Sequence, residues 1–281
     1  MTVENVQLKC KEIRKLIFMQ ACAAGGAHMG AAFSVTDILG TLYFGEVLSY
    51  KPDNPWWEDR DRLILSKGHA GVALYAALAL AGYFDLDYLK TFCQPGSRLG
   101  GHPKIHEIPG VEASTGALGH GLSFGIGIAY ANKADKKQSH TYIILGDGEC
   151  QEGSIWEGAL SAPTLGLDNL TVIVDHNKLQ AMDELETIVR MKPFTDKWKA
   201  FGWNVVEING HNCVEIRKAL LTRCTGKPTV IVANTIKGKG VSFMENVPIW
   251  HYRMPNEQEL QVLFEDLEFT EEERKELFLS K

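Results

Sequence analysis

The 281-residue chain has little of what marks a membrane protein, a nucleic-acid binder or a disulfide-framed secreted domain. Its apolar runs stop short of the roughly 18 residues that a bilayer-crossing helix needs. The longest is interrupted at Gly71 and Gly82 and ends at Tyr83-Phe84-Asp85. Positive charge is in deficit: 29 Lys and Arg against 35 Asp and Glu leave a net charge of −6 at pH 7. That balance argues against a nucleic-acid role, because backbone binding needs a basic patch. The densest basic cluster, Lys133-Ala134-Asp135-Lys136-Lys137, reads as a solvated helix end. The six cysteines never form a C-x-x-C pair. A zinc site or disulfide frame is therefore disfavoured, and a reducing cytoplasm is the expected compartment. The opening Met1-Thr2-Val3-Glu4 lacks the basic-then-apolar pattern of a secretory leader. No internal repeat is visible. With 45% hydrophobic and 23% charged residues, the chain has the composition of an ordinary globular protein that buries a substantial core.

Helical spacing of Val6, Ile13, Leu16, Ile17 and Met19 predicts an amphipathic helix over Val3–Ala24, stopped by Gly25-Gly26. Ser34 reads as the N-cap of a second helix over 35–48. Residues 51–58 are a loop, 62–66 a short buried strand, and Gly71–Leu80 a helix. Residues 95–116 form a long irregular stretch rich in Gly, Pro and His, a length that inside a compact domain usually carries function. A small-residue helix follows over 119–133. Short β-rich apolar runs then recur at 141–145, 170–174, 204–208 and 229–233, with helical stretches near 154–164, 195–201 and 214–222 between them. Continuous apolar strands alternating with helices imply an α/β fold: an open, mainly parallel sheet covered by helices on both faces. Residues 1–281 read as a single domain, ending in an acidic helical tail from about 256 to 281 that is short of core residues.

In such sheets ligands bind beyond the carboxyl ends of the strands. After the run at 141–145 comes Gly146-Asp147-Gly148-Glu149. The glycines let backbone amides approach an anion, and Asp147 is a hard oxygen ligand suited to magnesium or calcium. After the run at 170–174 comes Asp175-His176-Asn177-Lys178-Leu179-Gln180. Residues 149–176 are about the length of one helix plus one strand. If the two strands are neighbours, Asp147 and Asn177 converge on one point. A metal held there still needs anionic ligands, and a diphosphate supplies them.

G-D-G followed about thirty residues later by Asn resembles the thiamine diphosphate signature. The surroundings resemble the N-terminal, diphosphate-binding half of the transketolase family. The matching stretches are Gly26-Ala27-His28, Leu65-Ser66-Lys67-Gly68-His69-Ala70, Gly100-Gly101-His102-Pro103 and the segment 114–121. They continue through 146–153, Lys237-Gly238-Lys239-Gly240 and Trp250-His251, in order along nearly the whole chain. The resemblance implies that Asp147, Asn177 and the main-chain carbonyl of Leu179 hold Mg2+ (or Ca2+ or Mn2+). It implies that the Gly148 backbone touches the diphosphate of thiamine diphosphate, that Gly116 and Leu118 contact its aminopyrimidine, and that Lys237 is a counter-charge. His28, His69, His102 and His251 fall at positions that line the family's substrate channel, with His69 and His251 also beside the cofactor. Histidine suits the orientation of sugar hydroxyls and proton exchange near neutral pH. Glu152 and Glu157 match acidic residues near the cofactor at a subunit contact. His120 and His176 replace residues common in relatives and read as neighbours of the site. Arg253 is a candidate for the anionic end of a substrate, and His106, His140 and His211 match nothing.

The resemblance further implies a transketolase transferring a two-carbon ketol unit from a ketose donor to an aldose acceptor, as in the pentose phosphate pathway, with sugar phosphates as substrates. The family's following pyrimidine-binding domain, which carries the glutamate that protonates the aminopyrimidine, has no counterpart here. The expected arrangement is therefore a split enzyme: this chain with a separate C-terminal subunit, two of each in an α2β2 heterotetramer, in the cytoplasm, without nucleic acid or membrane. The alternatives are a deoxyxylulose-phosphate synthase-like subunit, a transketolase for a sulfonated or unusual sugar, and a non-catalytic cofactor-binding subunit.

Overall fold

The computed structural model describes residues 2–279. Five strands form one sheet in the order β1-β2-β3-β5-β4: β1 (Arg62–Leu65), β2 (Thr141–Gly146), β3 (Leu170–His176), β4 (Asn204–Asn209) and β5 (Thr229–Asn234). All neighbouring pairs are parallel. The Val- and Ile-rich runs favour the pleated conformation, and β2 and β3 are buried almost throughout because helices cover both faces.

Alternation along the strands divides the core in two. Leu63, Leu65, Tyr142, Ile144, Ile173 and Ile231 face α1 (Val3–Ala24), α2 (Met29–Phe44), α3 (Gly71–Leu80) and α8 (Cys213–Leu220). Ile64, Ile143, Val172, Val174 and Val232 face α4 (His120–Ala134), α5 (Gly153–Thr164) and α7 (Phe194–Ala200). A four-residue helix, α6 (Leu185–Ile188), lies between β3 and α7. The chain leaves β2 and β3 toward the α5 and α7 face. It leaves β1 and β4 toward the opposite face, and the segment after β5 also packs on that side, against α2. Ligand crevices form where adjacent strands send their connections to opposite faces. Here those places are the carboxyl ends of β1/β2 and β3/β5.

Two sequence expectations are corrected. The second helix begins at Met29, with His28 at the N-cap, so Ser34 lies inside it. The Ser34 hydroxyl is free to leave the capping role because it reaches Asp175 Oδ2 at 2.6 Å across the core. The C-terminal tail is helical, as α9 (Glu257–Asp266) and α10 (Glu271–Leu279), but it is not short of core residues. Leu263, Phe264, Leu267, Phe269 and Leu277 are buried. Phe18 meets Phe264 and Phe269 edge to face, each at 6.0 Å between centroids. Residues 280–281 of the expected tail lie outside the described residues. Elsewhere the expected helices and strands stand within a few residues of where periodicity puts them.

Candidate functional site

The loop after each of four strands contributes to one cluster. Parallel register sets Gly146 beside Asp175, so Asp147 and Asn177 emerge from adjacent tips. Both are buried. The Asp147 carboxylate accepts from the Gly148 amide at 2.8 Å and from the Lys178 amide at 2.6 Å. His176 Nδ1 lies 3.2 Å from the same carboxylate, and its ring stacks on Phe194. Asn177 accepts from the Leu179 amide at 3.1 Å. Beside Asn177 and Leu179 opens a cavity of about 590 Å3, lined also by His176, Lys178, Phe194 and Ile236. An equally large cavity between α1 and α10, lined by Lys15, Met19, Phe269 and Glu273, holds none of the expected site residues.

Lys237 sits in the turn after β5. Its side chain is 1% exposed, and the ammonium donates to the Gln180 carbonyl at 2.6 Å. Among the described residues no carboxylate pairs with it within 4 Å. Burial, and then the charge of Lys67, lower its pKa to about 8. A buried cation that hydrogen-bonds a neutral oxygen, with Asp147 and Asp175 attracting it only from beyond ion-pair distance, is poised for an anion.

His28, His69, His102 and His251 come from four separate segments and gather into one group. The ring of His28 lies 5.6 Å from His69, 6.4 Å from His102 and 5.0 Å from His251. His69 and His251 are 6.0 Å apart. Burial first, and then neighbouring cations, push the pKa of His28 down and that of His69 well down; they bring that of His251 to about 4. These three imidazoles are therefore neutral at pH 7 in the free chain. Tyr252 packs edge-on against His28 at 4.9 Å. Gly116 has φ +140°, and a Cβ there would meet the His102 ring at 2.9 Å, so the segment carrying Gly116 and Leu118 passes directly under His102.

Glu152 and Glu157 are exposed on α5 and its N-cap, and His120 is exposed at the start of α4. They do not join the histidine group. Arg253 is committed elsewhere: it grips both oxygens of Glu259 at 2.9 and 3.0 Å and lies 4.3 Å over the Trp250 ring.

Sequence reasoning missed the carboxylates beneath these loops. Asp175 is fully buried and receives Lys67 from the β1 loop, Thr235 from the β5 loop and Ser34 from α2. Burial alone would raise its pKa, but the Lys67 ammonium and these hydrogen bonds hold it below the usual carboxylate range. Glu149 accepts from Ser66, from the Gly119 amide at 2.9 Å and from the Gly146 amide at 3.0 Å, tying the 114–119 segment to β2. Their positions in Gly-Asp-Gly-Glu and Val-Asp-His-Asn carry the only signal, an acid at a strand end, and it does not say which acids turn inward.

Comparisons with known proteins give the family and the fold. Residues 6–275 match the thiamine diphosphate binding domain of transketolase. The chain is 44% identical over 243 residues to the 6-deoxy-6-sulfo-D-fructose transketolase subunit SqwG of Clostridium sp. strain MSTE9, covering 86% of this chain and 88% of that one. It is 40% identical over 263 residues to an apulose-4-phosphate transketolase subunit of Phocaeicola vulgatus, covering 93% of each. The transketolase structure from Campylobacter jejuni superposes on the whole chain with a TM-score of 0.88 at 31% identity, and 46% of that protein is covered. The chain thus spans about half the length of the full-length transketolase of known structure.

Proposed function

This chain belongs to the transketolase family as its thiamine diphosphate-binding domain, and from that premise we propose that it is the N-terminal subunit of a two-chain transketolase. In this reading it transfers a two-carbon ketol unit from a ketose to an aldose, with thiamine diphosphate and a divalent metal. The single observation that carries it is the meeting of Asp147 and Asn177 at adjacent strand tips, with the buried cation of Lys237, which no carboxylate pairs within 4 Å among the described residues, at the next.

The residues present fit that cofactor. Asp147 and Asn177 offer hard oxygens, with Leu179 two residues beyond, in the pattern that suits Mg2+. Gly148 leaves a cradle: a Cβ there would sit 3.1 Å from Gln180 Cγ. Thr115 Oγ1, Gln180 Nε2 and His251 Nδ1 are buried polar atoms without a partner among the described residues. When bound, the cofactor supplies the carbon nucleophile and electron sink that ketol transfer requires. The chain's own work is binding, orientation and proton handling. Asp147, Asn177 and the Leu179 carbonyl anchor the metal, and Lys237 neutralises phosphate. Gly116 and Leu118 offer the surface for the ring. Neutral His28, His69 and His251, with His102 at the exposed mouth, orient the sugar hydroxyls. Each of the three half-buried rings is ready to accept a hydroxyl proton and return it.

The substrate is a sugar with an anionic end, phosphate or sulfonate, in keeping with the two relatives named for a sulfofructose and for apulose-4-phosphate. Because Glu259 holds Arg253, that end is gripped mainly by the second subunit. The outward faces of α4 and α5 support such a partner: Phe124, Tyr130 and Leu160 are more than half exposed there, beside Glu152 and Glu157. The assembly is two of each chain, with 1–281 as one unit. A reducing cytoplasm suits the six cysteines, none of which forms a disulfide among the described residues, and no described helix is long and apolar enough to cross a membrane.

The test mixes the chain with its partner subunit, Mg2+ and thiamine diphosphate and follows ketol transfer from ketose phosphates and sulfonates. Turnover should need both chains and should vanish in Asp147→Ala together with metal-dependent cofactor binding. Full turnover by the chain alone, or undiminished cofactor binding in Asp147→Ala, would overturn the reading.

A further inference from the structure

His211, on the loop between β4 and α8, stands outside the histidine group. Its Nε2 accepts from the Ile236 amide at 2.8 Å, and its Nδ1 lies 2.7 Å from Asp37 Oδ2. A backbone N–H can only donate, so Nε2 is the bare nitrogen and Nδ1 carries the proton toward Asp37. Asp37, buried on α2, is gripped by Arg14 of α1 through two bonds of 3.0 and 2.7 Å. Burial would raise the Asp37 pKa, but the guanidinium charge and His211 hold it far below the usual carboxylate range. Arg14 then spends its remaining Nε–H on the Lys239 carbonyl at 2.8 Å. The relay Arg14–Asp37–His211 therefore returns twice to one short segment, at Ile236 and at Lys239, on either side of Lys237. Three elements distant in sequence converge on the two flanks of the buried cation.

We propose that this relay is a positioning device for Lys237, with His211 the positioning residue that fixes the 236–239 backbone so that the ammonium faces the anion site. What Lys237 meets there rests on the cofactor reading above. The clamp itself is a property of this chain.

The test splits the imidazole into its two halves. In His211→Asn the amide nitrogen takes the place of Nδ1 and keeps the bond to Asp37, while Ile236 loses its acceptor. In His211→Gln the longer side chain sets a carbonyl where Nε2 stood and keeps the Ile236 bond. Amide hydrogen exchange over residues 235–241 is compared with that of β5, and thiamine diphosphate with Mg2+ is titrated against the full chain, without its partner and with it. In His211→Asn, exchange in the segment and the cofactor dissociation constant should each rise about tenfold, the usual weight of one hydrogen bond. His211→Gln should stay within about twofold of the parent on both readouts, and both variants should melt close to it. Unchanged exchange in His211→Asn would overturn the proposal. So would equal loosening in both variants together with a large loss of melting temperature, which would mark His211 as packing alone. A parent chain that shows the expected exchange pattern but never binds thiamine diphosphate would refute the cofactor reading and leave the clamp standing.

Discussion

The ion pair between Lys67 and Asp175 offers the sharpest test of how the strand tips are held in register. Both side chains are essentially inaccessible, at 1% and 0%. Lys67 also reaches the Ala31 carbonyl at 3.2 Å, and Asp175 also accepts from Ser34 and Thr235. Replacing Lys67 with Met removes the cation and leaves a buried carboxylate answered only by two hydroxyls. Breaking one side of a buried pair costs about 3–5 kcal/mol, because the survivor stays desolvated. For a chain of this size that corresponds to a melting point lower by about 10 °C. The double variant Lys67→Met/Asp175→Asn removes the charges of the pair; its carboxamide oxygen accepts from one hydroxyl, and its NH2 donates to the oxygen of the other. It should recover at least half of the loss, giving a coupling energy of about 2 kcal/mol. Urea unfolding followed by tryptophan fluorescence reads both numbers, and an unchanged denaturant slope shows that the unfolded state is the same. The pH dependence has a definite sign. The Asp175 pKa is depressed in the folded state, so its contribution is fully present above the unfolded value of about 3.9 and is lost as pH falls through the folded one. A loss below about 1 kcal/mol in Lys67→Met, or a double variant as weak as the two single losses added together, would refute the argument.

Two further outcomes follow from the same geometry. The lowered pKa values of His28, His69 and His251 mean that the unfolded chain binds protons more tightly. Stability should therefore fall as pH drops from about 6.5 toward 4, by at most about 1.4 kcal/mol per pH unit for each ring and less where water reaches it. Melting curves of the parent and His251→Asn between pH 7 and 5 should converge, and parallel curves would count against it. Glu149→Gln keeps the shape, but its single carbonyl oxygen can keep only the Ser66 and Gly119 bonds, weakened, while its NH2 faces the Gly146 amide and that bond is lost. It should cost about 1.5–3 kcal/mol and speed proteolytic cutting at 114–119, and unchanged cutting there would show that the segment is held by other means.

The sheet was legible because buried parallel strands are written as uninterrupted runs such as Thr141-Tyr142-Ile143-Ile144-Leu145, which need no long-range information to recognise. Asp147 and Asn177 were legible for a related reason: a helix and a strand of ordinary length separate them, so adjacency follows from topology. Ser34 misled because its partner, Asp175, lies 141 residues away, while a serine before an apolar helical run looks locally like a cap. His211 was opaque for the same reason, since Asp37 is 174 residues from it. The tail looked solvated because its charged residues outnumber its apolar ones, yet Phe264 and Phe269 are both buried around the one facing side chain of Phe18. What escaped reading is the set of contacts whose two halves are far apart in sequence.

Those contacts also explain why the site carries the charge it does. Asp37, Glu149 and Asp175 are buried acids, and each is satisfied from within the chain. Asp37 has Arg14 and His211, Asp175 has Lys67, and Glu149 has a hydroxyl and two amides. The Arg60–Glu112 pair is closed in the same way. Against this background of satisfied groups, Lys237 stands out among the described residues as a buried ammonium that hydrogen-bonds a carbonyl and feels Asp147 and Asp175 only from beyond ion-pair distance. Folding alone gains little from such a group, since burial and the charge of Lys67 outweigh the pull of Asp147 and Asp175 and lower its pKa to about 8. The arrangement makes physical sense if an anion arrives at the strand tips beside Asp147 and Asn177, with a metal ion keeping the carboxylate and that anion from repelling each other.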